Sequence, residues 1–130
     1  MAMTTAEAPP AIPELERLAM EEIWRQGEAT VRSVRDALNA DAGQPERAYT
    51  TVLTILQRLD VRGLVERSRR GKTDVYTAAL PRDEYLGARA EAEVSDLLDE
   101  YGELALVQFA RRMAALDPER RAALRRLAGG

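Results

Sequence analysis

The chain has 130 residues, 45% of them apolar and 32% charged, with a formal net charge of −3. That length and balance fit one globular domain, or one with a small appendage, rather than a disordered or membrane protein. Cysteine and histidine are both absent, which removes disulfides, thiolate and imidazole chemistry and Cys/His zinc sites in one step.

An enzyme would have to work with carboxylates or with Lys72, the sole lysine, and no spacing of the acids singles out a pair. Neither catalysis nor a cofactor or metal is expected. No run approaches the roughly 18 apolar residues of a membrane span, and the start MAMTTAEAPPAIP lacks a basic n-region and an apolar h-region. No membrane insertion and a cytoplasmic location are therefore expected. The charge is also unevenly placed. Residues 1–29 carry two basic and six acidic side chains, 30–77 nine and six, 82–103 two and eight, and 104–130 six and two. A partner feels such blocks locally, within about 10 Å at ordinary ionic strength, whatever the global sign.

In chain order, residues 1–12 are small, Pro-containing and aperiodic, and read as a flexible tail. In PELERLAMEEIWRQG, Leu15, Leu18, Ala19, Ile23 and Trp24 recur at helical spacing, with Pro13 at the start and Gly27 past the end. Thr30 is placed to cap a second helix whose Val31, Val34 and Leu38 form its apolar edge, and DAGQPE breaks it. A third helix runs from about Arg47 to Arg62, closed by Gly63, with Val52, Ile55, Leu56 and Leu59 on one face.

The period then becomes extended. LVERSR, a tight basic turn RGK and TDVYTA predict a hairpin anchored on the helices by Leu64, Val65, Val75 and Tyr76. Three helices and a hairpin is the order of a winged helix-turn-helix. Beyond Pro81, Leu86, Ala90, Val94, Leu97, Leu98 and Tyr101 stripe a long helix ended by Gly102. A further helix carries Leu104, Val107, Phe109 and Met113, and Asp117-Pro118 opens a last one. The expected class is mainly α with a small β-hairpin, divided as tail 1–12, winged helix 13–80 and helical region 81–130. The last region has too small a core to stand comfortably alone, so its stripes are expected to pack on a second copy.

The third helix offers Tyr49, Thr50, Thr51, Thr54, Gln57 and Arg58 opposite its core face. Such a face is usually solvated surface. Three β-branched threonines in five helical positions are nonetheless a poor choice for helix stability alone, while short hydroxyls beside free N–H groups suit phosphate and groove contact. Helix periodicity leaves both readings open. Arg67, Arg69, Arg70 and Lys72 cluster at the hairpin tip without an acid among them, and phosphate neutralisation is the basis of non-specific DNA affinity. With Arg32 on the second helix, these make a candidate surface for double-stranded DNA. A winged helix serving only as a protein-interaction module is the alternative.

The runs LERLAMEEIWRQGEATVRSVRDAL and AYTTVLTILQRLDVRGLVERSRRGKTDVYTAAL, most specifically E-x-x-x-M-x-x-I-W and A-Y-T-T-V-x-T-x-L-x-R-L, resemble the BlaI/MecI/CopY penicillinase-repressor family of transcriptional regulators. The resemblance implies an N-terminal winged helix, a C-terminal helical dimerisation domain and repression from pseudo-palindromic operators. By position it puts Thr50, Thr51, Thr54 and Arg58 on the recognition helix and Arg69, Arg70 and Lys72 on the wing. Dimer contacts are expected at Leu86, Val94, Leu97, Leu98, Tyr101, Leu104, Val107, Phe109 and Met113. In antibiotic-responsive members a membrane sensor-protease pathway cuts an Asn-Phe bond in this region. The matching dipeptide here is Gln108-Phe109, a departure at the cleavage signal itself. The cysteine motif by which copper-responsive relatives release DNA is absent.

Overall fold

A computed structural model describes residues 8–129, and the chain divides into two compact units, one running through Ala90 and the other starting at Glu91. The first contains α1 (Glu14–Gln26), α2 (Val31–Ala40), α3 (Tyr49–Val61), the strands β1 (Val65–Arg70) and β2 (Thr73–Ala78), and the start of α4 (Arg82–Tyr101). The second contains the rest of α4, then α5 (Glu103–Ala114) and α6 (Pro118–Gly129).

The first unit is a winged helix. Ala19, Met20 and Ile23 of α1, Val31, Val34 and Leu38 of α2, and Val52, Ile55, Leu56 and Leu59 of α3 share one core with Leu64, Val65 and Tyr76 of the hairpin. The termini follow local chemistry. Thr30 and Ser33 form a reciprocal capping box at α2. At the end of α3, Leu64 N–H reaches Leu59 C=O and Gly63 N–H reaches Asp60 C=O, both at 3.0 Å, a paired closure that requires the positive φ of 75° at Gly63. The helix begins at Tyr49 rather than at Arg47, because the Asn39 side chain binds both the N–H (2.6 Å) and the C=O (3.0 Å) of Arg47 in the preceding loop.

β1 and β2 pair antiparallel from Val65↔Ala78 to Arg70↔Thr73, leaving Gly71-Lys72 as a two-residue turn. Gly71 has φ 62°, which puts the positive φ at the first turn residue as a type II′ hairpin needs. Ala29 pairs with Tyr76 through reciprocal backbone bonds of 2.9 and 2.7 Å, tying the hairpin to the α1–α2 connection. All four expected anchors, Leu64, Val65, Val75 and Tyr76, are buried.

Two expectations need correction. Residues 8–12 are held rather than trailing: Tyr85 Oη donates to Pro10 C=O at 2.7 Å, Arg89 to Pro9 C=O at 2.8 Å, and Ile12 packs on the core. Residues 1–7 of the expected tail lie outside the described residues. The first unit also extends past residue 80, where the Tyr85 ring packs tilted on Trp24 with centres 5.5 Å apart and Arg82 pairs with Glu21 at 2.7 Å. Leu86, expected at a dimer contact, is partly buried and packs against this core.

In the second unit Gly102, at φ 58°, separates α4 from α5, and Asp117 Oδ1 caps α6 by accepting from Arg120 N–H at 2.8 Å. Ala105 is the one buried residue among the unit's described positions.

Candidate nucleic-acid interface

At 100° per residue, the buried quartet Val52, Ile55, Leu56 and Leu59 fixes the opposite face of α3 as Thr50, Thr54, Gln57 and Val61, all exposed. Thr51 and Arg58 flank one edge of that face, Tyr49 and Leu53 the other. The first turn has no side-chain cap, since Ala48 occupies the N-cap, so its amides are open to a ligand. Thr54 Oγ1 donates to Thr50 C=O at 3.0 Å, which commits its proton to the helix and leaves its lone pairs facing outward.

Tyr49 is 44% exposed and carries the Arg35 guanidinium 5.9 Å from its ring centre. It also lines a cleft of about 460 Å³ together with Arg32 and Thr30 of the α2 entry and Lys72, Thr73 and Asp74 of the wing. Three expected residues from separate elements, Arg32, Tyr49 and Lys72, thus converge beside the start of α3. Thr54, Gln57 and Arg58 line a second, shallower cleft with Val61 and Arg62.

The wing arginines are exposed, yet each is already paired with an acid. Arg67 lies 3.9 Å from Asp60 and 3.8 Å from Asp74, and Arg69 lies 3.4 Å from Asp74. Arg70 makes a forked pair with Glu28 of the α1–α2 connection. The hydrogen bonds from Arg70, then its charge, hold the Glu28 carboxyl below the usual range and raise the guanidinium in turn. An anion approaching these arginines competes with carboxylates as well as with water.

Sequence reasoning missed Val61, 88% exposed on the outer face of α3, although it follows Thr54 by seven residues and Gln57 by four. It also missed the acids facing the cations: Glu28, Asp60, Asp74 and, buried on α1, Glu16. Only Glu16 carried a signal, as an acid inside the apolar stripe of its helix.

In the second unit Leu97, Tyr101, Leu104, Gln108 and Phe109 line an apolar groove of about 430 Å³ over Ala105. Val94 and Val107 are also exposed, while Leu98 and Met113 are half-buried. Among the described residues, no group of His, Cys, Asp or Glu is arranged to hold a metal, and no helix is long and apolar enough to cross a membrane.

A family model described as "Penicillinase repressor" matches residues 12–129. The transcriptional regulators BlaI of two Mycobacterium tuberculosis strains, CDC 1551 / Oshkosh and ATCC 25618 / H37Rv, are each 38% identical over 108 residues, spanning 78% of this chain and 73% of theirs. The solution structure of the DNA binding domain of the repressor BlaI is similar at a TM-score of 0.50 and 24% identity, over 61% of this chain and 92% of that one, a likeness of fold.

Proposed function

The chain belongs to the penicillinase repressor family, whose members are DNA-binding transcriptional repressors and not enzymes, and from that premise we propose that it is a homodimer repressing from a pseudo-palindromic operator. The observation that carries the reading is the outer face of α3, where Thr50, Thr54, Gln57 and Arg58 stand free of the core with the cationic wing in the same unit. Tyr49, Arg32 and Lys72 border the start of that helix and supply phosphate contacts. Arg67, Arg69 and Arg70 exchange their carboxylates for backbone phosphates. Base edges are read from α3 and the backbone from the wing. Operation on chromosomal DNA places the protein in the cytoplasm.

The second copy packs on the apolar groove of α4 and α5. Two recognition helices then reach successive major grooves, so half-sites lie about 10 bp or a multiple apart. Inactivation by a membrane sensor-protease pathway is the route of the antibiotic-responsive members, and the Asn-Phe signal for it is replaced in this chain. Here the bond between Gln108 and Phe109 lies inside α5, so cleavage requires that helix to open first.

Genomic capture followed by anisotropy on the recovered duplex tests the function. The expected result is a discrete palindrome, with Arg69→Ala/Arg70→Ala weakening cognate and scrambled DNA alike and flattening the log-log salt dependence by about 2. Recovery of no discrete site, or salt-independent binding, would favour a protein-interaction module instead.

A further inference from the structure

The family-like motif Glu16-x-x-x-Met20 sets an acid in the apolar stripe of α1, and nothing in the DNA contacts above uses it. Glu16 is only 2% exposed, and an ionised carboxylate at that depth is strongly unfavourable unless it is paired. Its two oxygens are shared between Arg58 of α3 and Arg62, the residue that caps the end of that helix one turn on. Oε2 accepts a short hydrogen bond from Arg62 Nη1, and Oε1 lies 3.7 Å from Arg58 Nη1.

The two pairs differ in kind. Arg62 is hydrogen-bonded and supplies the counter-charge that makes burial of Glu16 tolerable. Arg58 is attracted at a distance too long for a hydrogen bond, and its side chain is 63% exposed. Its guanidinium is therefore directed by Glu16 while its donors remain available to another acceptor. It is also the residue at the edge of the outer face of α3, within a cleft shared with Thr54 and Gln57.

We propose that Glu16 is a positioning residue for sequence reading, aiming the Arg58 fork at a base edge and restraining it from phosphates. The inference rests on the DNA-binding reading and deepens it. An unrestrained arginine satisfies itself on whichever phosphate is near, a contact that depends little on direction. A bidentate contact with a base edge needs the planar fork in one orientation. Removing the charge of Glu16 should therefore shift affinity from the specific to the non-specific mode.

The full chain and its Glu16→Gln variant would be compared by anisotropy on the captured operator and on a scrambled duplex, across a salt series. The cognate-to-scrambled affinity ratio should fall about fivefold to tenfold, with scrambled binding unchanged or tighter and a salt slope steeper by up to about 1. In an Arg58→Ala background, Glu16→Gln should leave the ratio where Arg58→Ala alone put it. Should Glu16→Gln fail to fold, Glu16→Met/Arg62→Met removes the buried pair together, a change often tolerated, and the same fall in ratio is expected. An unchanged ratio in the Glu16 variants, or a Glu16→Gln effect that persists in full without Arg58, overturns the proposal. If the wild-type chain preferred no duplex at all, the DNA-binding reading would fall and this inference with it.

Discussion

Replacing Leu104 by Glu separates folding of the second unit from its association. Leu104 is 70% exposed on α5, in the groove it shares with Tyr101 and Phe109, so the protomer gains little from it. Full burial of a leucine side chain stabilises by about 2 kcal/mol, and covering the remaining exposed fraction contributes about 1.4 kcal/mol. In an isologous two-fold interface each residue acts twice, which brings the loss to about 3 kcal/mol, or roughly a hundredfold in the dimer dissociation constant. Burial of an unpaired carboxylate adds to that figure. Light scattering over a dilution series reads the association directly, and thermal unfolding by circular dichroism, followed at low concentration, confirms that the protomer is intact. The DNA readout follows: affinity for the full palindrome should fall while affinity for an isolated half-site holds. A wild-type chain that is monomeric at micromolar concentration, or a Leu104→Glu chain that dimerises as well as wild type, would refute the assignment of this groove to a second copy.

Two further outcomes follow from the charges. Glu28→Gln releases Arg70 from its forked pair and should tighten binding to any duplex by about twofold to fivefold at low salt. Glu14→Gln, the same charge change at an exposed pair on α1, is the control and should have a smaller effect; equal effects of both would show that only net charge matters. Tyr76 is buried, and desolvation first, then the charge of Asp74, raises its pKa above the ordinary value near 10. Its folded pKa exceeds its unfolded one, so the stability it contributes is fully present below about pH 10 and is lost as the pH rises through the folded value. Urea midpoints taken from pH 8 to 11 should stay level and then drop, and Tyr76→Phe should blunt the drop.

The fold was legible wherever one residue type has one physical job. Pro13, Gly27, Thr30, Gly63 and Asp117 mark helix ends because each supplies a backbone angle or a cap that few residues can. The four apolar positions of α3 similarly identify its outer face by subtraction. What stayed hidden depends on tertiary approach. Nothing local in the sequence brings Asn39 to Arg47, Glu28 to Arg70, or Pro10 to Tyr85, pairs separated by 8, 42 and 75 positions. The contact of Tyr85 with Trp24, which ties the start of α4 to the first unit, leaves no local trace for the same reason. Of the candidate site, the cations were legible from composition, whereas the acids opposing them were not, because a carboxylate on another element leaves no periodic trace near the arginine it meets.

Those acids also bear on how a chain of net charge −3 can serve DNA. An unopposed cationic wing would bind every phosphate it met, and a genome offers on the order of 10⁶ or more competing sites. Here Glu28, Asp60 and Asp74 occupy the wing arginines in the free protein, and Glu16 lies beside Arg58. Each exposed pair is weak and screened, so a phosphate replaces the carboxylate at small cost whatever sequence carries it. On the proposed reading the wing carboxylates would thereby lower the affinity for every duplex alike, while Glu16, by holding Arg58 off phosphates, would lower the non-specific floor more than the specific complex. The ratio of the two, rather than the tightness of either, is the quantity an operator-binding protein needs, and on the proposed reading it is the buried Glu16, more than the net charge, that would work toward it.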